Sequence, residues 1–114
     1  MAIQTASMKN SLAAAYKAAA THAALYTTVP AATAGTEVTG GAPAYARKAL
    51  SWGTPANGII TATAVFDVPA GVTIAGAGIH DAATAGNYLD GGAITSQAFA
   101  TQGQYTLTLT FTES

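Results

Sequence analysis

The side chains able to do acid–base or metal chemistry are few and scattered: His22, His80, Glu37, Asp67, Asp81, Asp90 and Glu113. A general base needs a partner that orients it. His80 and Asp81 are adjacent, and in a strand adjacent side chains point to opposite faces. A metal site built from His22, His80 and one acid would need ligands on a recognisable spacing, and the chain has none. Cysteine is absent, which excludes disulfides and thiolate ligands. Ser7, Ser11, Ser51, Ser96 and Ser114 all lie outside a Gly-x-Ser-x-Gly elbow. Gly76-Ala77-Gly78 opens like a dinucleotide fingerprint, but the third glycine position holds Asp81 and no helical pattern follows. Glycines inside a strand, where a backbone or a large side chain comes close, explain the pair better. Glu37, Asp67 and Asp90 stand beside turn residues, where acids bond to the backbone. The aromatic residues read as core and edge groups rather than a carbohydrate platform. The sequence therefore predicts no catalysis, no cofactor and no metal requirement.

Composition narrows the function classes further. The chain has 114 residues, 50% of them hydrophobic and only 8% charged, against about 25% charged in an average soluble domain. Such a surface must be covered by small polar residues or hidden against other subunits. Net charge is −1, with Lys9, Lys17, Arg47 and Lys48 spread along the chain. No basic patch exists to neutralise phosphates, so nucleic acid is not an expected partner. No apolar run approaches the roughly 18 residues that span a bilayer, so no membrane role is expected. The opening Met1-Ala2-Ile3-Gln4-Thr5 lacks a basic region followed by an apolar one, and no secretory signal is expected.

The elements that would carry any site read as one domain over 1–114, with a helix over 5–20 and a β-sandwich over 22–114. Met8, Leu12, Ala15, Tyr16 and Ala19 follow helical spacing and form one apolar stripe, with Thr5 or Ser7 as the cap. The simpler expectation is that this stripe packs on the chain's own sheet. The sharper one is that it docks on another subunit. Strands are predicted over 22–28, 44–52, 59–68, 72–80 and 105–112. A short hairpin is expected from Tyr88 to Phe99 around Asp90-Gly91-Gly92, and a loop over 31–41. Asn57-Gly58 marks a turn with positive φ. In the last strand Tyr105, Leu107, Leu109 and Phe111 alternate with four threonines, which assigns the first set to the core. Short strands with turn signals every 8–12 residues predict a mainly β fold: an antiparallel β-sandwich or jelly-roll-like small barrel with an N-terminal helix.

Several motifs carry a resemblance. The run Gly40-Gly41-Ala42-Pro43-Ala44-Tyr45-Ala46-Arg47-Lys48-Ala49-Leu50-Ser51-Trp52 resembles a segment of small structural proteins from tailed phages of actinobacteria. Phe66-Asp67-Val68-Pro69-Ala70-Gly71-Val72-Thr73 does so too, as do the run from Ile79 to Leu89 and Phe99 with Gln102-Gly103-Gln104-Tyr105-Thr106. His80 stands where relatives would carry an aromatic such as Trp, so no binding role is carried onto it. These motifs mark a fold and its turns. The resemblance implies a virion protein made in the host cytoplasm: a capsid decoration protein that binds the major capsid protein on the outer head surface and reinforces it. Alternatives are a minor tail or tail fibre protein bound to tail proteins, and a carbohydrate-binding host-attachment module. Length favours decoration, since the chain has no repetitive shaft. The charge deficit, with strand edges to protect, predicts a homo-oligomer, a trimer favoured by the threefold positions of a capsid lattice. Met8, Leu12, Tyr16, Glu37 and Val38 are the candidate subunit contacts.

Overall fold

The computed structural model describes residues 4–112. Helix α1 (Ala6–Ala19) precedes strands β1 (His22–Tyr26), β2 (Lys48–Ala49), β3 (Ile59–Val68), β4 (Val72–His80), β5 (Tyr88–Phe99) and β6 (Gly103–Thr112). The strands form two antiparallel sheets, one ordered β2-β1-β4-β5 and one of β3 and β6 alone. The fold is mainly β, a small antiparallel sandwich with an N-terminal helix, in agreement with the sequence. It is drawn out along one axis, measuring 47 × 24 × 23 Å with a radius of gyration of 14.9 Å, where a globule of this length has roughly 13 Å.

Local chemistry accounts for most element bounds. Thr5 caps α1: its extended backbone turns its Oγ1 onto the Met8 N–H at 3.2 Å, satisfying one free donor of the first turn. In β3, Ile60, Ala62, Ala64, Phe66 and Val68 are buried while the alternate positions are mostly exposed, the two-residue period of a half-buried strand. Asn57 and Gly58 have φ of 51° and 77° and turn the chain into β3. The ladder between β3 and β6 runs unbroken from Ile59↔Thr112 to Val68↔Gly103. Between the sheets lie Leu25, Ile74, Ala77 and Ile79 from one layer and Ala64, Phe66, Val68 and Leu107 from the other, with Val38 and Phe99. Each such large group contributes roughly 1.5–3 kcal/mol by leaving water.

The face assignment of β6 holds, but its burial is graded. Leu107 is buried, Tyr105 and Leu109 are half-buried against the core, and half-buried Phe111 stacks on Tyr16 of α1 at 3.9 Å between centroids. The cause is a sheet of only two strands, which leaves the ends of β6 without neighbours above them.

Two expectations are corrected. The strand over 44–52 shrinks to Lys48–Ala49. Tyr45 and Arg47 are half-buried, and then Lys48, Leu50 and Trp52 are, so the inward parity changes between Arg47 and Lys48 and no single pleated strand can run through. The hairpin expected between Tyr88 and Phe99 is instead one strand of 12 residues along β4. Asp90-Gly91-Gly92 does not turn. Gly91 runs where a Cβ would meet the Tyr88 hydroxyl at 2.5 Å and the Ala77 carbonyl at 2.9 Å, so it answers to close packing. An irregularity follows: between Ile74↔Gln97 and Gly76↔Ala93, β5 advances four residues against two of β4, so it bulges at 94–96.

Candidate functional site

The polar chemistry gathers on the outer face of the four-stranded sheet. Segment 36–38 runs beside the end of β1, with Val38 N–H bonded to the Leu25 carbonyl at 3.1 Å and Glu37 bridging to Tyr26. From there the Glu37 carboxylate takes a forked pair from Arg47, Nε and Nη2 each at 3.0 Å. Arg47 Nη1 continues to the carbonyls of Ala82 and Ala85 at 3.2 and 2.8 Å. Tyr45 donates to Glu37 at 2.9 Å and accepts from the Leu25 N–H at 2.9 Å. One guanidinium thus ties the 31–47 segment to the 81–87 turn. Burial pushes the Glu37 carboxyl upward, but the hydrogen bonds from Arg47 and Tyr45 and the guanidinium charge outweigh it and hold it below the usual carboxylate range.

Beneath the clasp, Tyr26, His80 and Tyr88 form an aromatic cluster on a floor of glycines. The Tyr26 hydroxyl bonds to His80 Nε2, and both rings meet Tyr88 edge-on. A Cβ at Gly78 would meet the Tyr26 ring at 2.6 Å, and one at Gly76 would run into Pro30. The reading of these glycines as sites of close approach is correct. Burial first, and then the Arg47 charge, lower the His80 pKa; burial first raises Tyr26 to about 12. His80 Nδ1 is buried without a hydrogen-bond partner among the described residues. Asp81 points away from this cluster. It is exposed and accepts from the Asn87 backbone and side-chain N–H groups at 2.7 and 2.9 Å, which close the turn. His22 lies opposite His80 across the β1–β4 pair and contacts the Thr21 hydroxyl. Among the described residues no three His, Asp or Glu side chains converge; Glu113 lies outside those residues.

The arrangement is that of a brace. Apart from His80 Nδ1, the side-chain groups of Glu37, Tyr45, Arg47, Tyr26 and Tyr88 bond within the chain. The depression of about 350 Å³ beside Arg47, lined by Glu37, Tyr45, Ala83 and Thr84 among others, presents charged groups that are already paired. What remains for interaction is surface, and there the structure departs most from the sequence.

Of the apolar stripe of α1, only Tyr16 packs on the domain. Met8 is 52% and Leu12 37% exposed, and Ala15 and Ala19 face solvent with them. The face toward the domain carries Asn10, Ala13, Tyr16, Lys17 and Ala20. Asn10 Oδ1 accepts from the Gly58 N–H at 2.8 Å, and Lys17 Nζ donates to the Gly53 carbonyl at 3.3 Å. Polar side chains therefore seat the helix by reaching backbone groups of the turn before β3. Of the five candidate contacts, Met8 and Leu12 lie on the exposed stripe. Tyr16 is half-buried and reaches the Asp90 carboxylate at 3.4 Å. Glu37 is held in the clasp. Val38, only 2% exposed, sits in the core and has no surface to offer a neighbour; of the loop expected over 31–41, residues 36–38 are bonded beside the end of β1.

A second bare region is the outer face of β3 and β6. Ile59, Thr61, Thr63 and Val65 stand opposite Thr112, Thr110, Thr108 and Thr106, all exposed and none charged. Beside it, β5 and β6 follow one another in the chain but lie in different sheets and do not pair. Between them runs a groove of about 290 Å³, lined by Tyr16, Trp52, Ile94, Leu109 and Phe111 with Asp90 at its rim. Among the described residues no helix is long and apolar enough to cross a membrane.

The model of a protein family described as Podophage GP4 fiber I protein gp80 matches residues 5–111. No curated protein and no solved structure matches the chain.

Proposed function

Because the chain belongs to the podophage GP4 fiber I protein family, and is thereby a phage virion structural protein, we propose that it works as a fibre-associated building block that docks on a larger part of the particle. The observation that carries this reading is the family match, which spans the helix and both sheets. The bare stripe of α1 supports it. Met8 and Leu12 are among the large apolar side chains left in water, and they project from a helix whose inner face is already engaged. Exposed apolar groups on one face mark interaction surfaces. A brace whose charged groups, Glu37 and Arg47, are paired within the chain suits a structural part better than a turnover site.

Capsid decoration is the second reading. It would give the major capsid protein as partner in place of tail proteins. In either reading the chain has no catalytic role.

Gold-labelled antibody on intact virions, with pull-down by purified heads and by purified tails, tests the proposal. Label on the tail and retention by tails, lost in Leu12→Lys, is the expected result. Label on heads would replace the fibre reading with decoration. Retention by host cell wall but by neither particle fraction would overturn both in favour of a host-attachment module.

A further inference from the structure

We propose that the free edge of β6 pairs with the same edge of a second copy across a twofold axis at Thr108. The inference is independent of where on the virion the chain sits.

The edge is identified by hydrogen-bond parity. The Gly53 N–H bonds to the Thr61 carbonyl from outside the ladder at 3.0 Å, and Ala56 exchanges both bonds with Ile59. The odd residues of β3 therefore turn their backbone groups outward, and the even residues bond to β6. In the register Thr61↔Thr110, this turns the backbone groups of Gln104, Thr106, Thr108, Thr110 and Thr112 away from β3. Among the described residues that side of β6 has no partner strand. It is a row of donors and acceptors about 27 Å long.

Three observations select a second copy as the occupant. First, β6 contains no charged residue over its ten positions. Natural edges are guarded by charges, bulges or proline, and self-pairing is the arrangement that most requires freedom from like charges. Second, the edge groups are symmetric about Thr108: an antiparallel copy sets Gln104 against Thr112, Thr106 against Thr110 and Thr108 against itself, and Thr–Thr pairs across strands are favourable. Third, the other bare candidates are blocked. The β3 edge is capped at Ile59 and Thr61 by segment 53–56, and β5 carries Asp90 and its bulge. A threefold ring joining β6 of one copy to β3 of the next would have to displace that cap. A twofold pair needs no displacement. It makes one sheet ordered β3-β6-β6-β3 and brings the two grooves together, so that Leu109 and Phe111 leave water in both copies.

The protein has no cysteine, so one introduced thiol reports on the axis. A residue facing its own copy in a hydrogen-bonded antiparallel pair has Cα atoms about 5.5 Å apart, within disulfide reach. Thr108→Cys in the full chain should oxidise to a dimer on a non-reducing gel. Thr63→Cys, one strand further in on the same face, should remain single. Wild type should sediment at twice its 11.2 kDa mass, and Thr108→Lys, with circular dichroism confirming the fold, should weaken that association at least tenfold. A monomeric or trimeric wild type, or cross-linking of Thr63→Cys as efficient as that of Thr108→Cys, would overturn the proposal.

Discussion

The outer face of the four-stranded sheet and the outer face of the β3–β6 pair are both antiparallel β-surfaces, yet one is shut and the other open. On the first, Arg47 gathers Glu37 and two turn carbonyls, and Tyr26, His80 and Tyr88 fill the space above glycines. On the second, six threonines stand with Ile59 and Val65, and the one charge is Asp67 at the far end, opposite Gln104. The chain has nine charged residues, and its best-placed charges hold its own loops rather than guard its edges. Low surface charge here follows from where the few charges are used, as well as from how few there are.

The largest effect should come from cutting the clasp. Arg47→Ala leaves the Glu37 carboxylate partly buried and unpaired and frees the 81–87 turn; since both side chains retain some exposure, we expect a loss of about 2–3 kcal/mol in denaturant unfolding, below the cost of breaking a fully buried pair. Thr63→Lys on the open face should stay within roughly 0.5 kcal/mol, the level of surface sites. Equal losses would erase the distinction between the faces.

A matched glycine pair sharpens it. Gly78→Ala drives a Cβ into the Tyr26 ring and should cost about 1–3 kcal/mol by overpacking. Gly92→Ala, in the adjoining strand and with nothing within 4 Å, should be neutral or stabilise by about 0.5 kcal/mol by restricting the unfolded chain. Thermal melts of the two variants decide it.

The smallest effect is a pH dependence confined to the closed face. The His80 pKa lies below its ordinary 6.5 in the folded chain, and that of Glu37 below 4.5. In both cases the unfolded chain binds more protons in the window between the two values, so stability falls as pH falls. The His80 contribution is complete above pH 6.5 and is lost as pH drops toward its folded value; that of Glu37 is lost below pH 4.5. His80→Gln, which keeps an acceptor for Tyr26, should flatten the decline of the unfolding midpoint that begins as pH falls through 6.5 and leave the limb below pH 4.5 in place.

The open face was legible in the sequence and the closed face largely was not. β3 is bounded by an Asn-Gly turn and a proline, and β6 alternates without interruption, so composition and period suffice for both. The glycines of β4 were read as sites of close approach, but nothing in the spacing named Tyr26 and Pro30 as what approaches. Asp90-Gly91-Gly92 has the residues of a turn, and only tertiary packing shows them serving a strand. The simpler expectation, that the helix stripe packs on the sheet, fails at Met8, Leu12, Ala15 and Ala19 because Asn10 and Lys17 bond to backbone groups of the 53–58 turn, and a side-chain hydropathy pattern is blind to where such groups lie. Val38 was missed because a lone valine among small polar residues gives no period.

The way α1 is seated has a thermodynamic consequence. Only Ala13 within the helix is fully buried, and two hydrogen bonds reach from it to the turn before β3. Its local opening free energy is then a small part of the domain's, and its amides should exchange with solvent ahead of those of β4. Any particle that receives Met8 and Leu12 must supply the entropy of keeping this segment ordered. The alanines at 13, 14, 15, 18 and 19 keep that demand low, because alanine has the highest helix propensity and no side-chain rotamers to lose. The residues that make the helix poor at holding on to its own domain thus make it ready-shaped for a neighbour.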